Sequence, residues 1–387
     1  MYYRSVGDLP RKRHVDHRQP DGSRYHEELM GQEGFSSSSA LLYHRHSPSA
    51  VVAIEAVEVS ASAATPDVPL VPRHLRTGDL PTADADLVTG RHELLANDDV
   101  AIAWVRATRR SPHYRNAAED ELLYVQQGGG TLESVFGQIE VGPGDYVVVP
   151  AGTTHRWLPG TDGLSALVVR SAGHVAPPGR YLSAQGQFLE HAPYCERDLR
   201  APTEPLLASG EDVDVLVRNR AGLSRHTHAH HPFDVAGWDG CLYPWVLNIG
   251  DFEPIVGRLH QPPPVHQTFE GPGFVVCSFV PRLFDFHPDA IKVPYHHANT
   301  DSDEVLFYSD GDFMSRAGSG IGVGSISYHP AGFVHGPQPG SVEASLDKTG
   351  TEETAVMIDT FAPLAVTDAA RAVSDPDYPR SWARSGS

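Results

Sequence analysis

Two stretches of the chain repeat the same pattern of polar and turn-forming residues, and this repeat most limits the possible folds. The spacing inside each motif is the same in both stretches. The paired positions are Asn116 and Asn299, Glu121 and Glu304, Gly128 and Gly311, Gly144 and Gly324, Pro150 and Pro330, Gly152 and Gly332, and His155 and His335. The 36 glycines and 32 prolines separate short runs rich in Val, Ile, Tyr and Phe, which is typical of short strands rather than long helices. The repeat therefore predicts a mainly β chain with two similar units.

Barrel geometry gives this pattern a physical reason. Side chains two residues apart on a strand share a face and can meet a histidine from another strand across a barrel interior, which predicts Glu304 and His335 on opposing inner walls. The order His, Glu, Gly and then Gly, Pro-x-Gly, His resembles the cupin superfamily. The resemblance implies a bicupin, that is, two jelly-roll-like β-barrels. We predict an N-terminal β-rich domain over 1–250 that contains a degenerate cupin at about 100–172, and a C-terminal catalytic cupin with its tail over 251–387.

The first unit is predicted to lack a metal site. Two residues before the shared asparagine it has Tyr114, where the second unit has His297. It keeps only Glu121 and His155, which are too few protein ligands for a tight site.

The second unit offers His297, Glu304 and His335. Two imidazoles and one carboxylate on one side of a metal leave open positions for substrate and dioxygen, as in non-haem Fe(II) oxygen-activating enzymes. Many cupins have a second histidine where this chain has Asn299, so we predict a three-ligand site. The residue types also suit Mn, Ni and Zn, and each residue alone is more often structural.

Longer segments resemble homogentisate 1,2-dioxygenase. They are YHEELMGQEGFSSSSALLYHRH, HPFDVAGWDGCLYPWVLNIGDFEPIVGRLHQPPPVHQTF, PYHHANTDSDE, PAGFVHGP and DPDYPRSW. The resemblance covers most of the chain and is closest to the shorter bacterial branch. It implies an Fe(II)-dependent, extradiol-type ring-cleaving dioxygenase that uses O2 to open homogentisate (2,5-dihydroxyphenylacetate) to maleylacetoacetate in tyrosine and phenylalanine catabolism.

Carried over residue by residue, the resemblance places the iron ligands on His297, Glu304 and His335. It also implies that two further histidines face the substrate. We assign His260 as the base that removes a phenolic proton and His329 as the side chain that hydrogen-bonds a ring hydroxyl. The alternative for His260 is a structural turn residue before QPPPV.

The substrate pocket is expected to be lined from the same segments. The predicted substrate-binding residues are Tyr295, Asn299, His329 and His335. Longer members of the family have a tyrosine where this chain has Phe313, and the interval from His297 to Glu304 is one residue longer here. A gentisate-like or other hydroquinone acid therefore stays open as the substrate.

Charge limits the partners of the chain. The formal net charge is -19, from 30 Lys+Arg and 49 Asp+Glu, and a field of this sign repels nucleic acids and anionic lipid surfaces. The longest apolar runs have the length of a strand, and the N-terminus has no apolar stretch behind its basic residues. We predict a cytoplasmic enzyme whose partners are a small aromatic acid and O2, and by family analogy a homotrimer or homohexamer.

Two other readings remain open. The run RHTHAHHPFD, which holds His226 to His231, favours a solvated loop over a second metal site. For the whole protein, the alternatives are a metal-dependent isomerase and a non-catalytic binding bicupin.

Overall fold

The computed structural model describes residues 1–59, 64–82 and 84–383. Its strands, in chain order, are β1 (Arg4–Gly7), β2 (His26–Gly31), β3 (Ser39–His44), β4 (Val51–Val57), β5 (Ala64–Thr65), β6 (Arg73–Arg76), β7 (His92–Ala96), β8 (Val100–Ala107), β9 (His113–Asn116), β10 (Asp120–Ser134), β11 (Gly137–Val141), β12 (Asp145–Val149), β13 (His155–Ser171), β14 (Leu199–Arg200), β15 (Val213–Asn219), β16 (Gly222–His228), β17 (Val235–Gly240), β18 (Trp245–Asn248), β19 (Gln267–Gly271), β20 (Phe274–Phe279), β21 (Arg282–Leu283), β22 (Asp303–Asp310), β23 (Ser325–His329), β24 (Gly350–Thr351), β25 (Thr354–Thr360) and β26 (Ala365–Thr367).

Helices are short in the described residues. The α-helices are α1 (Ser341–Ser345) and α2 (Asp368–Ala372), and single 3-10 turns lie at Glu33–Phe35, Thr77–Asp79, Gly179–Tyr181, Glu196–Asp198, Ile249–Asp251, Pro263–His266, Met314–Arg316 and Tyr378–Ala383. None of the described helices is long and apolar enough to span a bilayer. The predicted mainly β fold is confirmed.

Two sheets carry the repeated units. The larger follows the order β14-β18-β12-β10-β13-β8-β7-β26-β5 and also includes β4, β9, β11, β15 and β16. The smaller follows the order β19-β20-β25-β22-β23-β6. A four-stranded sheet, β1-β17-β3-β2, and the pair β21-β24 complete the architecture.

The two main sheets exchange strands at their edges. β6, from the first part of the chain, pairs with β23 of the smaller sheet, and β26, from the last part, pairs with β7 and β5 of the larger one. Each predicted domain therefore contributes a strand to the other's sheet. The division of the chain at residue 250 stays a prediction.

Aromatic side chains fill the contact between the two main sheets. The Tyr124 and Phe307 rings lie 6.1 Å apart, and the Tyr146 and Phe269 rings lie 5.1 Å apart. The Tyr124 hydroxyl also donates a 2.8 Å hydrogen bond to Ser309 across this contact. Buried aromatic pairs and satisfied hydroxyls make the contact stable and specific.

The two barrels differ in how their interiors are filled. The face of β10 that carries Glu121 continues into a cluster of 16 buried apolar residues, which includes Leu123 and Trp157. The face of β22 that carries Glu304 continues into a cluster of only four: Leu306, Tyr308, Phe313 and Ala355. Apolar side chains thus fill the interior of the N-terminal barrel. The interior of the C-terminal barrel is mainly polar near Glu304.

The repeated glycines are required by close backbone approach. Gly128 and Gly311 have positive φ angles, 74° and 95°. A Cβ on either one would lie 2.0 Å from a carbonyl oxygen, that of Gly163 or Glu352 respectively. A larger residue would push the neighbouring strand away, so glycine is fixed at the same place in both units.

A buried aspartate before each repeated glutamate connects the two motifs of its unit. Asp120 accepts a 2.8 Å hydrogen bond from the backbone N–H of Ala151, and Asp303 accepts one of 2.7 Å from Ala331. In each unit, this hydrogen bond fixes the turn that leads to the motif histidine, His155 or His335. In the second unit this turn places His335 next to the strand that carries Glu304.

Candidate metal centre

Three side chains with metal-ligand chemistry meet inside the C-terminal barrel. Glu304 on β22, His329 on β23 and His335 in the following loop offer ligand atoms that all lie within 4.8 Å of one another. Glu304 and His329 face each other in the β22–β23 register. Two backbone hydrogen bonds, of 2.8 and 3.0 Å, pair His335 with Asn299 and set the position of the loop.

The gap between His335 and Glu304 suits a cation. Nδ1 of His335 lies 3.0 Å from the carbonyl oxygen of Phe333 and donates to it, so Nε2 faces inward. Nε2 is buried, has no hydrogen-bond partner, and lies 3.4 Å from Oε2 of Glu304. Burial alone would lower the pKa of His335, but the Glu304 carboxylate outweighs it and the pKa is raised. A positive charge is therefore favoured between these two atoms, and a divalent metal can replace the proton there.

His329 is held by partners at both ring nitrogens. Nδ1 lies 2.8 Å from Oε1 of Glu304 and Nε2 lies 2.9 Å from the Tyr378 hydroxyl. Burial alone would raise the pKa of Glu304, but the two neighbouring imidazoles hold it well below its usual range. The pKa of His329 is lowered to about 4, mainly by burial. A neutral ring then donates from Nδ1 to Glu304 and accepts the Tyr378 proton at Nε2.

Two further charged groups border the carboxylate. Nη2 of Arg316 lies 3.6 Å from Oε1 of Glu304. Its guanidinium is fixed by hydrogen bonds of 3.0 Å to the Tyr308 hydroxyl and 2.7 Å to the Gly336 carbonyl. Asp359 lies opposite Glu304 on β25, and its pKa is raised to about 7, by burial first and then by the charge of Glu304.

The structure does not bring His297 into this group. The side chain is exposed, its Nδ1 donates a 2.7 Å hydrogen bond to the Tyr295 carbonyl, and its ring lies 4.6 Å from the Tyr295 ring. The Tyr295 ring in turn lies 5.2 Å from that of His260. The three rings form a row, which we call the His260 row.

The backbone of His297 nevertheless borders the site. A Cβ on Gly336 would lie 2.2 Å from the His297 carbonyl oxygen, and Gly336 directly follows His335. Asn299 is exposed and meets His335 through its backbone. Metal ligation by His297 and substrate contact by Tyr295 stay predictions.

In the N-terminal barrel an arginine supplies the positive charge. Nη1 and Nη2 of Arg91 form hydrogen bonds of 2.8 and 2.7 Å to the two carboxylate oxygens of Glu121. The Tyr114 hydroxyl and the Asn116 amide add hydrogen bonds of 2.9 and 3.1 Å to Oε1 of Glu121. Burial would raise the pKa of Glu121, but Arg91 holds it well below its usual range. The carboxylate is thus satisfied by protein groups, with the neighbouring His155 left without a partner at Nε2.

The prediction of a solvated loop for the histidine run was wrong for its first half and for its burial. His226 and His228 lie on β16, which pairs with β15 and β4, and only 6% of His228 is exposed. The residues after β16 close a cleft against β2, β3 and β9, which we call the histidine cleft. Its ionisable residues are Glu28, His44, His46, Arg115, His228, His230, His231 and Asp234.

His44 gives the histidine cleft a pH-dependent effect on stability. It lies 2.6 Å from Asp234 and 2.8 Å from Glu28. Burial alone would lower its pKa, but the two carboxylates raise it from 6.5 to about 9. A raised folded-state pKa stabilises the fold fully below the unfolded-state value and loses this contribution as the pH rises through the folded-state value.

We therefore expect the free energy of unfolding to fall between pH 6.5 and 9 because His44 loses its proton. At about 1.4 kcal/mol per pKa unit, the contribution of His44 is about 3 kcal/mol. Urea unfolding at several pH values will measure it, and His44→Gln should flatten the curve in this window. An unchanged slope in His44→Gln would assign the pH dependence to other groups.

Sequence reasoning missed three residues of the site. Asp303 had a detectable signal, since Asp120 occupies the same place in the first unit. Tyr378 lies in the segment DPDYPRSW, which carries part of the family resemblance but no spacing that links its tyrosine to the metal motifs. Arg316 has no repeated counterpart, and its contact with Glu304 depends on the fold of the loop after β22.

Comparisons with known proteins identify the relatives of this chain. A profile of the Cupin domain family matches residues 105–170. A protein of Saccharolobus solfataricus named "Putative dioxygenase SSO1533" is 38% identical over 386 residues, which cover 99% of each chain. The chain belongs to this family of cupin dioxygenases. Homologous cupin dioxygenases imply a metal, and the Glu304 carboxylate and the unpartnered Nε2 of His335 are the described groups placed to hold one. Both ring nitrogens of His329 already have partners.

Homogentisate 1,2-dioxygenases are more distant relatives of this cupin dioxygenase. The enzyme of Bradyrhizobium diazoefficiens is 26% identical over 289 residues, which cover 70% of this chain and 62% of that enzyme. Among solved structures, a cupin 2 conserved barrel domain protein from Leptotrichia buccalis matches 77% of this chain and 97% of its own, with 10% identity and a TM-score of 0.34. That score is too low for any inference about function.

Proposed function

We propose that this cupin dioxygenase is an Fe(II)-dependent, ring-cleaving enzyme that converts homogentisate to maleylacetoacetate. The proposal rests mainly on one observation, the buried and unpartnered Nε2 of His335 next to the Glu304 carboxylate. Imidazole and carboxylate ligands with open positions suit non-haem iron. The distant likeness to homogentisate 1,2-dioxygenases supports the substrate class.

The bound ion would supply open positions where a ring hydroxyl and dioxygen can meet. Glu304 and His335 would hold it, and His329 would fix the orientation of the Glu304 carboxylate through its 2.8 Å hydrogen bond. His297 would complete the ligand set by turning its side chain away from Tyr295. Its backbone beside Gly336 already lies next to the site.

His260 is the proposed acceptor of the phenolic proton. Its Nδ1 is buried without a hydrogen-bond partner and lies 3.8 Å from the Asp285 carboxylate. With Nδ1 directed toward Asp285, Nε2 is left to accept a proton, and the carboxylate would stabilise the resulting imidazolium. The Tyr295 ring, 5.2 Å from His260, would form the wall on which the aromatic substrate lies.

We expect iron-loaded protein to consume O2 with homogentisate. The chain will be loaded with Fe(II) anaerobically, and an oxygen electrode in air-saturated buffer will then compare homogentisate, gentisate and unsubstituted hydroquinone, with the metal-free chain as a blank. The proposal predicts the highest rate with homogentisate and one O2 taken up per ring opened.

Each rival predicts a different result. A faster reaction with gentisate would reassign the substrate and leave the ring cleavage in place. Absence of O2 uptake with every hydroquinone acid, together with bound metal, would favour a metal-dependent isomerase. A chain that retains no stoichiometric metal would favour a non-catalytic bicupin.

A further inference from the structure

The C-terminal turn Tyr378–Ala383 packs against the loop that carries His335. The Trp382 indole N–H donates a 3.0 Å hydrogen bond to the Gly336 carbonyl, and the Gln338 amide donates one of 2.9 Å to the Ser381 hydroxyl. The Trp382 ring also lies 5.9 Å from the Phe333 ring. Contacts therefore reach the loop on both sides of His335.

Tyr378, in the same turn, also contacts His329, which is hydrogen-bonded to Glu304. Its side chain is 1% exposed, and its hydroxyl lies 2.9 Å from Nε2 of His329. The opposite nitrogen of the same ring lies 2.8 Å from Glu304. The His329 ring is stacked on that of His335 at 4.3 Å. Because the ionised Glu304 carboxylate can only accept, Nδ1 of His329 carries the proton, and Nε2 is left to accept from the Tyr378 hydroxyl. The tail hydroxyl thus holds the ring in the orientation that points Nδ1 at Glu304.

We propose that Tyr378 is a positioning residue that sets the metal affinity of the barrel through His329 and Glu304. This inference rests on the proposed metal function. A phenol that donates to Nε2 holds the His329 ring in place, so that the Nδ1 proton orients the carboxylate toward His335. Without that donor the ring is free to turn, and Glu304 loses its fixed direction.

The test is Tyr378→Phe in the full chain, titrated anaerobically with Co2+ and followed by visible absorption. Hydrogen-bond partners of metal ligands typically contribute 10- to 100-fold in affinity, and Tyr378 acts one step further out through His329, so we expect the Kd to rise by a factor of about 10. Tyr124→Phe is the matched control, because Tyr124 is also buried, at 2% exposed, and its hydroxyl donates to Ser309 away from the site. The control should bind Co2+ with the affinity of the unaltered chain.

A metal-free readout separates positioning from folding. Long-range proton–nitrogen NMR of the unaltered chain should show His329 protonated at Nδ1, and Tyr378→Phe should shift the Nε2 resonance. Equal Co2+ affinity in Tyr378→Phe and the unaltered chain would overturn the inference alone. An unaltered chain that binds no Co2+ would overturn the proposed function as well. An unaltered chain in which His329 is protonated at Nε2 would overturn the positioning role, and this result does not depend on whether the variant folds.

Discussion

Glu304→Gln will abolish stoichiometric metal binding and lower the rate of O2 consumption by a factor on the order of 100 or more. The amide has nearly the same shape as the carboxylate, so the strand pairing with His329 is retained. The amide has no negative charge to balance a divalent ion. Because even the hydrogen-bond partners of metal ligands contribute 10- to 100-fold in metal affinity, we expect the loss of a ligand itself to cost at least as much. Metal analysis after gel filtration and the oxygen electrode will measure the two losses.

The matched control is Glu343→Gln. Glu343 lies on α1 in the same part of the chain, its side chain is 62% exposed, and its nearest basic group is His296 at 3.4 Å. We expect unchanged metal content and rate in this variant. A Glu304→Gln chain that holds one metal ion with unaltered affinity would remove Glu304 from the ligand set.

Arg91→Met will destabilise the fold by about 3 to 5 kcal/mol, which is the usual effect of removing one partner from a buried ion pair. Glu121 is completely buried and would keep its charge without the bidentate guanidinium. Guanidinium chloride unfolding of the metal-free chain will measure the change in the free energy of unfolding.

Two further variants identify the cause of that loss. Arg91→Met combined with Glu121→Leu removes both charges, and we expect most of the stability to return. Arg225→Met removes two exposed pairs, in which Arg225 lies 3.5 Å from Glu55 and 3.5 Å from Asp214, and should change the free energy of unfolding by less than about 1 kcal/mol. A loss below about 1 kcal/mol in Arg91→Met would show that Glu121 is satisfied without the arginine.

The repeat predicted the β class and the relation between Glu304 and His335 because both depend on strict spacing. A strand has a side-chain period of two, and the motif glycines fix the backbone where strands approach most closely. The strand exchange was not predicted. β6 and β26 have only four and three residues, too few for a periodic pattern.

Contacts between distant segments explain what the sequence could not show at the site. Tyr378 lies 49 residues after His329, and Arg91 lies 30 residues before Glu121. No spacing rule connects such pairs, since loop paths decide them. The direction of His297 depends on its hydrogen bond to the neighbouring Tyr295 carbonyl, which is a rotamer choice rather than a property of strand alternation.

Anomalous scattering at the iron edge, from crystals of the iron-loaded chain, will locate the metal directly. We expect one peak per chain at about 2 Å from Glu304 Oε2 and His335 Nε2, with the His297 ring turned toward it. A peak in the histidine cleft alone, or no peak within reach of Glu304 and His335, would contradict the assignment of the C-terminal barrel as the metal centre.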